Sequence, residues 1–136
     1  MTERIATPAS SASARMQPFW NAARERRLVL PQCRSCGSLD FPVPETCRHC
    51  LNREFDWIEA HGRGEIYSFV VMHQVYDPAF APRVPYAVVC VELEEGPRIV
   101  SNLVGCEPSA IRIGMSVTVD FQTLGREMPL PVFRPV

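Results

Sequence analysis

The chain is predicted to be mainly β: an N-terminal helix, then a metal-clamped hairpin, then a small five-stranded barrel. Three observations predict it. Two Cys-x-x-Cys pairs, Cys33 with Cys36 and Cys47 with Cys50, stand ten residues apart. Downstream of Gly64, apolar residues recur with a period of two over several stretches. Thirteen prolines in 136 residues favour strands and hard turns over long helices.

The cysteine spacing carries the most chemistry. One Cys-x-x-Cys turn directs two sulfurs at one point, and a short hairpin brings back a second such turn to complete a tetrahedron. Gly37 follows the first pair directly, where a tight knuckle needs a residue tolerant of positive φ. Asn52, two residues past the second pair, is the counterpart expected there. Zn2+ held by Cys33, Cys36, Cys47 and Cys50 would have no open position for water, so it would set shape and perform no chemistry. Two alternatives stay open at this level, a pair of disulfides or four thiols used as small apolar side chains. Disulfides suit secreted chains, and the N-terminus shows no apolar signal segment. His49 inside the second knuckle is a spare ligand that four cysteines make unnecessary.

Length allows one ordinary domain or two very small ones. The hairpin is too small for a core of its own, so its folding leans on metal binding, on the order of 10 kcal/mol in zinc peptides. Fourteen basic and fifteen acidic residues give a net charge of −1, which offers no electrostatic reason for a polyanion partner. The longest apolar run, 86–91, is far too short to span a bilayer. A cytoplasmic protein with reduced thiols, without nucleic-acid or membrane partners, is the expectation.

Taken in order, residues 1–15 are rich in Ser, Ala and Thr without periodicity and are read as a mobile tail. Helix and zinc ribbon are assigned to 16–60. Pro18-Phe19-Trp20 opens the helix, with Pro18 suited to its first turn and Phe19, Ala22 and Ala23 on one face. Arg24, Arg26 and Arg27 follow, read as a solvated face ahead of a phosphate patch. Leu28-Val29-Leu30 is a strand feeding the first knuckle. Residues 39–44 are its return arm, marked as an edge by Pro42 and Pro44. Phe55, Trp57 and Ile58 suggest a further strand that covers the knuckles with apolar side chains.

The barrel is assigned to 61–136. Gly62-Arg63-Gly64 reads as a flexible joint or bulge. Over 65–75 the alternation puts Tyr67, Phe69, Val71, His73 and Val75 on one face and Ile66, Ser68, Val70 and Met72 on the other. Ala87, Val89, Val91 and Leu93 share a side of the next strand, and a third strand follows over 98–104 after the turn Glu94-Glu95-Gly96-Pro97. One helical turn over 108–114 is stopped by Gly114. A fourth strand alternates through Val117, Val119 and Phe121, and 131–134 forms a short fifth. Five strands with one helical insertion between the third and fourth fit a Greek-key barrel of the OB type, with a β-sandwich as the competing architecture.

With these blocks placed, the chain resembles the DUF35 family of OB-fold proteins with a rubredoxin-like zinc ribbon. The likeness is carried by Pro18-Phe19-Trp20, by Cys33-x-x-Cys36-Gly37 and Cys47-x-x-Cys50, and by Gly62-x-Gly64-Glu65-Ile66-Tyr67-Ser68-Phe69. Pro85-Tyr86-Ala87 and Ile113-Gly114-Met115-x-Val117 extend it. The zinc pattern alone is common; the order of the blocks makes the match specific. The resemblance implies an accessory subunit in acyl-CoA metabolism that forms hetero-oligomers with thiolase-like or lipid-transfer-protein-like enzymes. Its most specific implication is the aldolase step of steroid side-chain degradation. It implies metal ligands at Cys33, Cys36, Cys47 and Cys50 and no catalytic residue, with a coenzyme A thioester as the substrate bound by the complex.

Outside the metal ligands, the stretch 75–85 is long for a hairpin connection in so small a barrel. Its candidates for a partner or ligand contact are Tyr76, Asp77, Phe80 and Arg83, with His73 just before it; an ordinary solvated loop is the competing reading. His73 and Asp77 are also the one acid–base pair available to a stand-alone acyl-CoA hydratase or thioesterase. A single-stranded nucleic-acid-binding module is the other alternative, because zinc ribbons and OB barrels both serve it; the neutral charge balance argues against it. Cys90 is read as a core thiol and Cys106 as a more exposed one. Arg98, Arg112, Arg126 and Arg134 are read as scattered surface charge.

Overall fold

The computed structural model of the protein describes residues 14–73, 85–123 and 129–136. A single 3-10 turn, Ala14–Met16, leads into helix α1, Gln17–Arg24. Pro18 sits in the first turn, where its missing N–H removes a donor that has no intrahelical acceptor anyway. Phe19, Ala22 and Ala23 are buried, as the helical spacing requires. The arginines that follow do not act together: Arg27 pairs with Glu25 and, at 3.6 Å, with Glu59, while Arg26 reaches into the barrel wall.

Strand β1, Val29–Cys33, pairs antiparallel with β2, Phe55–Glu59, in the register Leu30 to Ile58 and Cys33 to Phe55. Between them lies the whole double-knuckle segment. The expected return arm at 39–44 is not a strand. It makes one isolated bridge, Leu39 to Gln32, and carries a cis Phe41–Pro42 bond. Pro42 and Pro44 have no N–H to give a ladder, so the pairing of β1 passes to β2 instead.

The barrel is closed, with strand order β3-β4-β5-β7-β6 and β6 returning to β3. Its strands are β3 (Arg63–Met72), β4 (Tyr86–Leu93), β5 (Arg98–Leu103), β6 (Ser116–Gln122) and β7 (Leu130–Pro135). The insertion between β5 and β6 is a 3-10 turn, Pro108–Ala110, shorter than the sequence suggested. Ala87, Val89, Val91 and Leu93 of β4 fill the interior with Val117 and Phe121 of β6 and Phe133 of β7.

Three expectations about the barrel are corrected. The alternation of β3 is not continuous: its register on β4 shifts between Ile66 and Ser68. Gly64 and Ile66 are buried before the shift, while Phe69 packs on the core after it, and Tyr67 is left exposed. One unpaired residue exchanges the two faces of a strand, which lets the long first strand curve round the barrel. Gly62-Arg63-Gly64 is also no loose joint. A Cβ at Gly62 would collide with Val119 Cγ1, and one at Gly64 with the carbonyl of Glu92. Cys90, expected in the core, lies half-buried on the outer face, because its neighbours Val89 and Val91 take the inward positions of β4.

Helix, ribbon base and barrel share one core. Phe19, Ala23, Leu28 and Leu30 belong to the same buried cluster as Ile66, Val89 and Phe133. Ala60 N–H donates to Leu28 O at 2.8 Å and His61 N–H to Glu95 Oε2 at 2.8 Å, fixing the joint between β2 and β3. No helix among the described residues is long and apolar enough to cross a membrane.

Candidate metal centre

The two knuckles are built alike. Gly37 N–H donates to Cys33 O at 3.0 Å and Leu51 N–H to Cys47 O at 2.9 Å, closing one turn after each first cysteine. Cys33 N–H donates to Ser38 O and Cys47 N–H to Asn52 O, pinning the far end of each turn. The positive φ that the turn needs falls on Gly37 (80°) and on Leu51 (67°). Asn52 was expected in that role. Leu51 occupies the position equivalent to Gly37, one residue past its cysteine pair, and Asn52 uses its side chain instead.

This symmetry brings the four sulfurs of Cys33, Cys36, Cys47 and Cys50 within 4.8 Å of one another. Across the knuckles, Cys33 Sγ lies 3.5 Å from Cys50 Sγ, and Cys36 Sγ lies 3.6 Å from Cys47 Sγ. A tetrahedral zinc with Zn–S bonds of about 2.3 Å places its sulfurs about 3.8 Å apart, so the donor set fits the ion in identity, number and spacing. The site is a structural zinc site: four sulfur ligands fill the coordination sphere, and the ion's part is to hold two turns together.

Backbone and side-chain donors surround the sulfurs. Ser35 and Cys36 N–H groups donate to Cys33 Sγ, and His49 N–H donates to Cys47 Sγ at 3.4 Å. The Ser38 hydroxyl lies 3.2 Å from Cys36 Sγ and 3.4 Å from Cys47 Sγ, and Asn52 Nδ2 donates to Cys33 Sγ at 3.7 Å. Without metal, the Ser38 hydroxyl and then the His49 N–H hold the Cys47 thiol down to about 6. Cys33 is lowered as well, first by the N–H of Cys36. Cys50 behaves oppositely. The N–H of Asn52 favours its thiolate, but the neighbouring sulfur of Cys33, partial desolvation, and the sulfurs of Cys36 and Cys47 push it up to about 11. Four sulfurs this close cannot all be anionic without a cation among them.

Ser38 and Asn52 were not singled out as sulfur donors by sequence. The signal was available in their symmetry, each standing two residues past the second cysteine of its pair. Burial is uneven: Cys33 and Cys47 are buried, whereas Cys36 and Cys50 are exposed, next to a Leu51 that is 73% exposed. Arg34 and Arg48, the first x residue of each motif, bind carboxylates beside the site, Arg34 to Asp56 and Glu54 and Arg48 to Asp40.

Of the remaining candidates, His73 is exposed just past the end of β3. Tyr76, Asp77, Phe80 and Arg83 lie outside the described residues, as does Arg126. Arg98 stacks over the Tyr67 ring at 3.7 Å, Arg112 donates to Ser109 O and Ile111 O, and Arg134 approaches Asp120. Cys106 is half-buried.

Comparison with known proteins agrees with this anatomy. Residues 20–56 match the model of the ChsH2 rubredoxin-like zinc ribbon domain, and 57–122 that of the ChsH2 C-terminal OB-fold domain. A probable enoyl-CoA hydratase alpha subunit of Thermomonospora curvata is 47% identical over 86% of this chain, but the chain spans only 36% of that protein's length. A DUF35 domain-containing scaffold protein of Methanocaldococcus jannaschii is 36% identical, with 77% of this chain and 75% of that protein covered. A benzoylsuccinyl-CoA thiolase subunit of Geobacter metallireducens is 34% identical over 54% of this chain and 48% of its own length. Among solved structures, a chain of an Ltp2-ChsH2(DUF35) aldolase superposes with a TM-score of 0.84 at 42% identity, covering 92% of this chain and 97% of that one. With both halves matched in order and the four-cysteine cluster in place, the chain belongs to the DUF35/ChsH2 family of zinc-ribbon and OB-fold proteins.

Proposed function

We propose that the chain is a zinc-binding accessory subunit that docks onto a thiolase-like or lipid-transfer-protein-like enzyme in acyl-CoA metabolism. The observation that carries this reading is the near-complete superposition on a chain of the Ltp2-ChsH2(DUF35) aldolase, where 97% of that chain is covered. The hydratase and thiolase subunits among the relatives support the acyl-CoA setting. The retro-aldol step on a steroid-derived acyl-CoA is the specific form of the proposal. In it the chain is a non-catalytic or co-catalytic subunit, and the partner supplies the reacting groups.

The outer face of β3, β4 and β5 is the docking surface this reading favours. Val70 stands opposite Val88, and Val100 opposite Cys90, in adjacent strands. Val70 and Val100 are 56% and 68% exposed, and Tyr67 is half-exposed at the end of the same face. A concentration of large apolar side chains on one sheet face suits burial against another protein. Co-expression with thiolase-like and lipid-transfer-protein-like proteins, followed by size-exclusion chromatography, tests the reading. A stable hetero-oligomer is expected; elution at the chain's own size with every candidate would overturn it.

A further inference from the structure

The four sulfurs fall into two unlike kinds, and the kinds are paired. Cys33 and Cys47, first in each knuckle, are 1% exposed, with the N–H groups of Ser35 and Cys36 donating to Cys33 Sγ and that of His49 to Cys47 Sγ. Cys36 and Cys50, second in each knuckle, are exposed. The 3.5 Å approach joins exposed Cys50 to buried Cys33, and the 3.6 Å approach joins exposed Cys36 to buried Cys47. Each solvent-facing sulfur thus has a protected sulfur of the opposite knuckle beside it.

We propose that the ribbon is a peroxide-sensitive clasp in which Cys36 and Cys50 are the attacked sulfurs and Cys47 and Cys33 their respective resolving partners. Oxidation releases zinc and leaves the cross-knuckle disulfides Cys33–Cys50 and Cys36–Cys47. Hydrogen peroxide is the oxidant. The Cys50 thiolate attacks one peroxide oxygen, the O–O bond breaks, and with one proton from solvent the products are a sulfenic acid and water. The Cys33 thiolate then attacks that sulfenic sulfur, the S–O bond breaks, and a second proton carries the oxygen away as water. Cys36 and Cys47 repeat the sequence. Two peroxides accept the four electrons given by four thiolates, and no anionic sulfur remains to hold the cation.

The pairing decides the outcome for the fold. Disulfides within each Cys-x-x-Cys would leave the two knuckles unconnected once the ion had gone. Disulfides across the knuckles replace the ion's link between residues 33–36 and 47–50, so the hairpin stays closed and can reload after reduction. The oxidised clasp is therefore a reversible metal-free state of the ribbon.

The test uses the full zinc-loaded chain, stepwise hydrogen peroxide, a chromogenic zinc chelator and mass spectrometry of a non-reduced tryptic digest. Trypsin cuts after Arg27, Arg34, Arg48 and Arg53, placing Cys33 in peptide 28–34, Cys36 and Cys47 together in 35–48, and Cys50 in 49–53. The expected products are 28–34 joined to 49–53, together with an internally bridged 35–48, appearing in step with about one zinc per two peroxides. Every other full pairing of the four cysteines joins all three peptides, and that mass would overturn the proposal. Zinc retained under peroxide, or released with sulfinic acids and without disulfides, would overturn it equally. Reduction followed by added zinc is expected to restore the starting digest pattern.

Discussion

The guanidinium of Arg26 donates to the backbone carbonyl of Phe121 at 2.7 Å, tying the end of α1 to strand β6 across 95 positions of sequence. Arg26 holds φ of 60°, the left-handed region that helices usually give to glycine at this place. Arg27 N–H reaches back to Ala22 O and Arg26 N–H to Ala23 O, the double bond pattern that ends a helix on a left-handed residue. An arginine there bears backbone strain, and its reach to the barrel offsets it.

That relationship reverses the usual order of two substitutions. Arg26→Ala loses the bond to Phe121 and keeps the left-handed strain, while Arg26→Gly loses the bond and relieves the strain. Arg26→Ala is expected to destabilise by about 1–2 kcal/mol, and Arg26→Gly by about 1 kcal/mol less than that. Urea unfolding of the two variants measures it. Equal midpoints would show that the backbone conformation is not strained.

Two glycines with similar φ are expected to behave differently. Gly37 at φ 80° has nothing within 4 Å of an added Cβ, so Gly37→Ala pays only for conformation, about 1 kcal/mol. Gly62 at φ 83° faces the Val119 side chain, and its carbonyl accepts from Val119 N–H at 2.7 Å. Gly62→Ala adds a clash and is expected to cost about 3 kcal/mol. Thermal melts of zinc-loaded protein separate the two; similar losses would contradict the packing described around Gly62.

Acid is expected to release zinc, and Ser38 to set part of where it does. The Cys47 thiol is depressed from 9.0 to about 6 without metal, chiefly by the Ser38 hydroxyl. A depressed group contributes its stabilisation above its unfolded value and loses it as pH falls through the folded one. Zinc affinity therefore weakens as pH drops toward and below about 6, where protons also compete for the other three sulfurs. Ser38→Ala removes that donor, so the midpoint of zinc release, followed with a chromogenic chelator, is expected to move to higher pH. An unchanged midpoint would show that the hydroxyl does not support the thiolate.

Chelation at neutral pH is expected to open the knuckles while the barrel and the base of the ribbon persist. Residues Phe19, Ala23, Leu28 and Leu30 are buried in one cluster with the barrel core, so their packing is expected to outlast the ion. Amide exchange after zinc removal is expected to rise at 34–54 and to stay slow in β4 and β6. Loss of protection throughout the chain would show that the ion supports the whole fold.

Docking is expected to be sensitive to charge on the outer face of the barrel. Val100 is 68% exposed, so Val100→Asp disturbs little within the monomer. If this face meets the partner, burying an unpaired carboxylate there is expected to lower retention of the partner by about tenfold or more. An unaltered elution profile of the complex would place the interface elsewhere.

The metal site and the class of fold follow from residue spacing alone. Cys-x-x-Cys fixes two sulfurs through local turns, so ligand identity needs no long-range contact, and the strict alternation of Ala87, Val89, Val91 and Leu93 has one consistent reading as a half-buried strand. Other features depend on neighbours distant in the chain and emerge only on packing. Which strand pairs with β1 was settled by the donors missing from the proline-bearing arm, and the bulge at Tyr67 by the need of β3 to curve between β4 and β6. The sorting of sulfurs into buried and exposed pairs arises only when the second knuckle folds over the first. Spacing along a chain fixes which atoms can meet; which of them water still reaches is fixed by what packs against them.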